Sequence, residues 1–295
     1  MRNRLLLICV SLCFFLCSIA RSQGTANRIT ILYDAFGKNP ALEKDWGFSA
    51  LVEYNAVRIL FDAGNNAEIF QRNVEALGVD LTRLDFVVIS HRHADHTSGL
   101  GYLLKRNPRV KIYTPKEPFG PFGASLPSDF YKHVDALPAE MRYFGGTPKA
   151  FRSGTPWPEA NFIPVDVVTE LAPGISVLPT ISNVPGTLEL RELTLSIRTP
   201  KGQILVDGCS HAGVEKILEA ASAEDAHVYE IFGGLHLVKT PDDEIHRISV
   251  ALHDKWKVER IAPGHCTGEP AFAALQKMYG PNYIYAGLGT VIPLS

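Results

Sequence analysis

The sequence predicts an α/β protein in which two sheets pack together with helices outside. Three observations carry that expectation. A β-rich first half is followed by a second half that alternates strand and helix. LDFVVIS (84 to 90) reads as a strand buried on both faces, and such strands need layers on either side. The length of 295 residues fits one large domain or two small ones and is ample for a sizeable core. A formal net charge of −2 gives no electrostatic case for nucleic-acid binding.

The chain opens on Arg2 and Arg4, followed by LLLICVSLCFFLCSIA (5 to 20). A positive start, a short apolar run and a small-residue exit describe a secretory signal peptide, with cleavage expected after Ala20 or Ser22. The run is shorter than the roughly 20 residues that span a bilayer. Residues 1–22 are therefore expected to leave, with residues 23–295 secreted or periplasmic and a membrane met only during export. Cleavage removes Cys9, Cys13 and Cys17 and leaves Cys209 and Cys266, too few for a disulfide framework. Each remaining cysteine stands close to a histidine, in GCSHAG and PGHCTG.

Three strand-length runs follow: ITILYD (29 to 34), FSALVEY (48 to 54) and VRILFD (57 to 62). AEIFQRNVEALG (67 to 78) has apolar residues at helical spacing and stops on glycine. After LDFVVIS come a short helix over TSGLGYLLKRN (97 to 107) and a strand over VKIYT (110 to 114). Residues 115 to about 160 are dense in Pro, Gly and aromatics, so they predict an irregular insertion. Its Phe, Tyr and Trp are expected to wall a substrate pocket, with Lys116, Arg142, Lys149 and Arg152 available to an anion.

The second half places strands at ISVLPT (175 to 180), LTLSIRT (193 to 199), QILVDG (203 to 208), HVYEIFGG (227 to 234), VERIAPG (258 to 264) and NYIYAG (282 to 287). Helices are expected over VEKILEAAS (214 to 222), PDDEIHRISVALHDKW (241 to 256) and EPAFAALQKMYG (269 to 280).

Four strand ends carry histidine: SHRHADH after FVVI, CSH after ILVDG, GGLHL after VYEIF, and PGH after VERIA. His91, His93, Asp95, His96, His211, His236 and His265 therefore sit on loops that a layered sheet can bring together. His91 and His93 are two apart and point the same way in extended backbone, while Asp95 and His96 fall at a helix start. Imidazoles with a carboxylate suit zinc, with iron or manganese as competitors. So many ligands exceed the need of one ion, and pairs of ions commonly drive hydrolysis. His133, His227, His246 and His253 read as ordinary surface or face residues.

HRHADH resembles the HxHxDH motif of the metallo-β-lactamase superfamily. The order LFDAG, helix, VVISHRHADHTSGL is similar to that superfamily's usual approach. WGFSALVE, GCSHAG, GGLHL and PGHCTG resemble its branch related to the dihydropterin-6-methyl-ribofuranosylaminobenzene phosphate synthases. The resemblance covers most of residues 29 to 290 and implies a single-domain αββα sandwich with the site at one edge of both sheets. It implies that His91 and His93 bind a first metal, Asp95, His96 and His265 a second, and that His211 replaces the more usual middle ligands. VPGT at 184 to 187 has threonine where a histidine would stand. Asp207 and Cys209 both lie near where a bridging ligand belongs, and Cys209 is the one added to the metal set. The resemblance also implies that Asp62 hydrogen-bonds the neighbouring loop and steadies the histidines.

Metal-assisted hydrolysis follows from this set, with two divalent ions activating a water for attack on an ester, lactone, amide or phosphoester. Asp95 is expected to orient that water; His236 is a candidate ligand, substrate-contacting donor or general acid, with substrate contact the favoured role. The expected partner is a small molecule. Rival classes are a metal-dependent small-molecule binding protein, a dihydropterin-phosphate synthase-like enzyme, and an iron redox protein that would need a flavin-binding partner domain.

Overall fold

A computed structural model describes residues 27–117, 125–126, 147, 151–152, 156–183, 189–224 and 227–294. The expected signal peptide and most of the expected pocket-lining insertion, with Arg142, Lys149 and His133, lie outside those residues.

The first half supplies β1 (Arg28–Tyr33), β2 (Ser49–Tyr54), β3 (Val57–Phe61), β4 (Phe86–Val88), β5 (Lys111–Pro115), the short pair β6 (Ser125–Leu126) and β7 (Phe151–Arg152), and β8 (Asn161–Val165). Its helices are α1 (Ala67–Ala76), α2 (Ala94–Thr97) and α3 (Leu100–Arg106). The second half supplies β9 (Thr169–Ala172), β10 (Ile175–Ser182), β11 (Leu190–Thr199), β12 (Gly202–Asp207), β13 (Val228–Gly234), β14 (Arg260–Gly264) and β15 (Val291–Pro293). Its helices are α4 (Val214–Ala223), α5 (Asp242–Val250) and α6 (Glu269–Tyr279).

Two sheets result. One has seven strands in the order β15-β1-β2-β3-β4-β5-β8, the other six in the order β14-β13-β12-β11-β10-β9. Strands β3, β4, β5 and β8 run parallel, as do β12, β13 and β14. Parallel neighbours end at one edge, which gathers their loops.

Alternating side chains build three apolar layers. Between the sheets, Ile31, Phe61 and Val88 meet Leu195, Val206 and Phe232. The opposite pleat of the first sheet, including Leu60, Val87 and Ile89, packs on Phe70, Val74, Leu100 and Leu103 of α1 and α3. The opposite pleat of the second sheet, including Leu205 and Ile231, packs on Ile217, Leu218, Ile245 and Leu275 of α4, α5 and α6. The chain is an αββα sandwich. Local signals agree with it: the Asn66 side chain accepts hydrogen bonds from the Glu68 and Ile69 amides and caps α1.

The structure corrects three expectations. NYIYAG is not a strand; Tyr283 alone forms a bridge, to Ile261, and the last strand is β15, which pairs with β1. β8 and β9 had no counterpart in the sequence pattern. The expected helix over 97 to 107 is divided, with α2 turning at the histidine motif before α3 begins.

Candidate metal centre

The four histidine-bearing strand ends converge. Beyond β4, His91 Nε2 lies 3.0 Å from His93 Nδ1. Beyond β12, the His211 ring lies 4.9 Å from that of His91 and 4.8 Å from that of His93. Beyond β14, His265 Nε2 lies 3.2 Å from His96 Nε2. The Asp95 carboxylate is 3.5 Å from His265 Nε2 and 3.7 Å from His96 Nε2. Ligand atoms of His91, His93 and His211 fall within 4.8 Å of one another, as do those of Asp95, His96 and His265. Either trio could hold a metal ion.

Cys209 belongs with both sides. Its sulfur is 3.3 Å from His96 Nε2 and forms a third close group with His91 and His96. Asp207, the other bridging candidate, is engaged elsewhere: its carboxyl accepts a hydrogen bond from the Thr194 hydroxyl inside the second sheet. Burial pushes its pKa up to about 8. Cys209 and Cys266 are free thiols, and their sulfurs lie 3.3 Å apart. His236 joins Cys209 and Cys266 in a fourth group, with its ring 4.1 Å from that of His211. His227, His246 and His253 lie on the exposed surface.

The tautomers follow from one carboxylate. Asp62 is fully buried and accepts from the Ser90 amide at 2.7 Å and the Ser90 hydroxyl at 2.7 Å. Since the Ser90 hydroxyl donates to Asp62, its oxygen is left to accept from His91 Nδ1 at 2.9 Å. His96 Nδ1 donates to Asp62 directly at 2.7 Å. Both imidazoles thus carry their proton on Nδ1 and aim a bare Nε2 at the centre, the form a metal requires. Gly208 makes room for this: a Cβ there would come within 2.1 Å of the Ser90 hydroxyl and 2.8 Å of Asp62 Oδ2.

The electrostatics match the donor set. Burial drives the His91 pKa well below the usual imidazole value, and takes His93 to about 4 and His211 to about 3. These rings stay neutral near pH 7, with lone pairs free. Burial alone would raise Asp95, but the hydrogen bond to His265 and the charges of His96 and His265 hold it well below the usual carboxylate range. Burial opposes charge on His96 too, yet Asp62 pulls its pKa up. A bound cation would displace that proton. His211 Nε2 and His265 Nδ1 are buried with no hydrogen-bond partner. The orphaned His211 Nε2, buried beside the neutral rings of His91 and His93, fits a metal-ligand donor, while His265 offers the centre its other nitrogen, Nε2.

Sequence reasoning missed Asp34. It is buried at the end of β1 and accepts from the His265 amide at 3.0 Å and the Ala35 amide at 2.7 Å. It fixes the loop that presents His265, whose φ is +46°. Glu192 does the same for the His211 loop, accepting from the Ala212 amide at 2.9 Å. The one local hint for Asp34 was a carboxylate at a strand end, which does not reveal its distant partner. Of the basic residues proposed for an anion, Lys116 is instead paired with Asp166 at 2.6 Å.

The model of the metallo-β-lactamase superfamily matches residues 47–265. The chain belongs to that superfamily. A relative in Methanocaldococcus jannaschii, named 7,8-dihydropterin-6-methyl-4-(β-D-ribofuranosyl)-aminobenzene-5'-phosphate synthase, is 29% identical over 279 residues, covering 89% of this chain and 95% of its own. A solved structure described as a metal-dependent hydrolase of the β-lactamase superfamily superposes with a TM-score of 0.69 at 27% identity, over 91% of this chain and 99% of that one. The short form of human tRNase Z shares the fold alone, with a TM-score of 0.52 at 12% identity over 91% of this chain and 99% of its own. The fold is thus that of metal-dependent hydrolases, and the donor set fits divalent metal.

Proposed function

We propose that the protein is a metal-dependent hydrolase of a small molecule: an ester, lactone, amide or phosphoester. The observation that carries this reading is the meeting of two donor trios at one edge, with Asp95 held ionised in one of them and Cys209 between them. Zinc is the metal best suited to the imidazole, carboxylate and thiolate donors. Divalent ions held there would bring a water's pKa toward neutrality and polarise a substrate oxygen.

The protein's own residues would do the rest. Asp95 is half-buried and ionised, so it can accept a hydrogen bond from the attacking water and fix its direction. His236 stands on the exposed side, beside His211, where an imidazole can donate to a developing oxyanion or leaving group. Asp62, Asp34 and Glu192 hold the histidine loops in place.

The relative named as a synthase favours a second reading, formation of its dihydropterin–aminobenzene product. The two separate on a screen of metal-loaded protein against esters, lactones, β-lactams and phosphoesters, with Asp95→Asn alongside. Hydrolysis of one class, reduced by about 10² or more in the variant, supports the hydrolase. Turnover of none of them, with synthase product formed instead, overturns it. Ligand binding equal in both proteins and no turnover in either would make it a binding protein.

A further inference from the structure

The space beside His265 is built for one kind of group. A pocket of about 390 Å³ opens there, lined by Phe36, Trp46, Val238, His265, Glu269 and Phe272 among others. The Phe36 and Phe272 rings are tilted against each other with centroids 5.2 Å apart. The Trp46 ring lies 5.0 Å from the imidazole of His265.

Two large apolar side chains on this pocket are costly where they stand. Trp46 is 45% exposed and Val238 42% exposed. Exposed apolar surface collected at the rim of a chemical centre marks a ligand's place. Trp46 is also held in position. The Phe48 amide donates to the Asp95 carbonyl at 3.2 Å. Gly47 has a φ of +145° and packs where a Cβ would come within 2.6 Å of that same carbonyl. The loop carrying the indole is thus clamped to the backbone of a candidate ligand.

Charge narrows the occupant. Among the described lining residues there is no lysine or arginine, and their single carboxylate is that of Glu269, on the exposed surface. The start of α6 would favour an anion with its partial positive charge. Pro270 removes one amide donor from that turn, and Glu269 sets a full negative charge against about half a positive one. Lys38, nearby in sequence, sits over the Tyr285 ring at 4.3 Å.

We infer that this pocket binds an aryl group of the substrate that is uncharged or cationic, and that it disfavours an anionic one. The inference rests on the adjoining centre being where substrate reacts. It assigns Phe36, Trp46, Phe272 and Glu269 as specificity residues, with the aromatic rings stacking and Glu269 setting the sign of charge.

The test is calorimetric binding to metal-loaded protein of three probes that ligate metals poorly: naphthalen-2-ylmethanol, 2-naphthyl-trimethylammonium and naphthalene-2-sulfonate. The ammonium and the alcohol should bind about tenfold or more tightly than the sulfonate, and Trp46→Ala should weaken both by about tenfold. Glu269→Lys should reverse the order of the two ions. Metal content of each sample reports whether the centre is intact. Sulfonate binding as tight as ammonium in the parent protein, or an order unmoved by Glu269→Lys, would overturn the inference, as would tight binding retained in Trp46→Ala. Binding needs no turnover, so the outcomes separate. Naphthyl binding without hydrolysis of any screened class removes the hydrolase and keeps the pocket; hydrolysis without naphthyl binding does the reverse.

Discussion

Asp62→Asn is a one-atom test of how the centre is held. The carboxylate accepts three hydrogen bonds at 2.7 Å, from the Ser90 amide, the Ser90 hydroxyl and His96 Nδ1. An asparagine oxygen in the Oδ1 position keeps the first. Its NH2, in the Oδ2 position, can only donate. The two charge-assisted bonds lost there are worth about 1.5–3 kcal/mol each when their partners stay buried. The chain escapes that cost by moving protons. His96 can accept from the new NH2 through Nδ1 only if its own proton shifts to Nε2. Ser90, no longer donating to residue 62, turns its hydroxyl on His91 Nδ1 and drives that ring the same way. In both rings the proton then lies on the nitrogen that faces the other donors. Metal affinity should fall by about 10- to 100-fold, or about 1.4–2.7 kcal/mol. The assay is zinc affinity at neutral pH by competition with a fluorescent chelator, with unfolding of the metal-free proteins run in parallel. Zinc affinity within twofold of the parent, in a variant that is merely less stable, would refute the tautomer argument and leave Asp62 as scaffold.

Two further outcomes follow from buried groups. Asp207 has a folded-state pKa near 8 against 3.8 when unfolded, so the folded chain keeps a proton that the unfolded chain has lost. Stability from this group is full below the unfolded value and drains away as pH rises toward 8. Between pH 6 and pH 8 the parent should lose roughly 2–3 kcal/mol more than Asp207→Asn, read from urea unfolding at both values. Parallel pH profiles would show that Asp207 is ionised in the fold. The Cys209 and Cys266 thiols, 3.3 Å apart, should close to a disulfide under the diazene oxidant diamide, which takes up both hydrogens and becomes a hydrazine. Metal content should drop on oxidation and return with a phosphine reductant; Cys266→Ser should be insensitive. Full metal content in the oxidised protein would remove Cys209 from the donor set.

The parts legible in the sequence are those whose signal is local. HRHADH places four donors within six residues, and the run FVVI shows a strand buried on both faces. In the fold, Val87 and Ile89 pack on the helices while Phe86 and Val88 face the other sheet. Asp62 could be read because LFDAG resembles the superfamily's motif ahead of the histidines. Asp34 ends a strand too, but its partner is 231 residues away, and nothing local marks that contact. The same holds for Trp46, whose indole meets His265 only once the two sheets have packed. Three of the missed strands share one cause. β8, β9 and β15 are all at sheet edges, where one flank is unpaired and burial is partial. NFIPV and VIP also carry proline, which cannot donate to a strand ladder. NYIYAG shows the converse. Its composition suits a strand, but it runs past Ile261 with a single bridge.

The central claim is a two-ion centre assembled from the trios His91–His93–His211 and Asp95–His96–His265. It is tested most directly by elemental analysis of untagged protein, reconstituted with zinc and desalted, beside His211→Ala and His265→Ala. The account requires about two ions per chain in the parent and about one in each variant, because each substitution removes a ligand from one trio only. No bound ion in the reconstituted parent, or two ions retained in both variants, would contradict it.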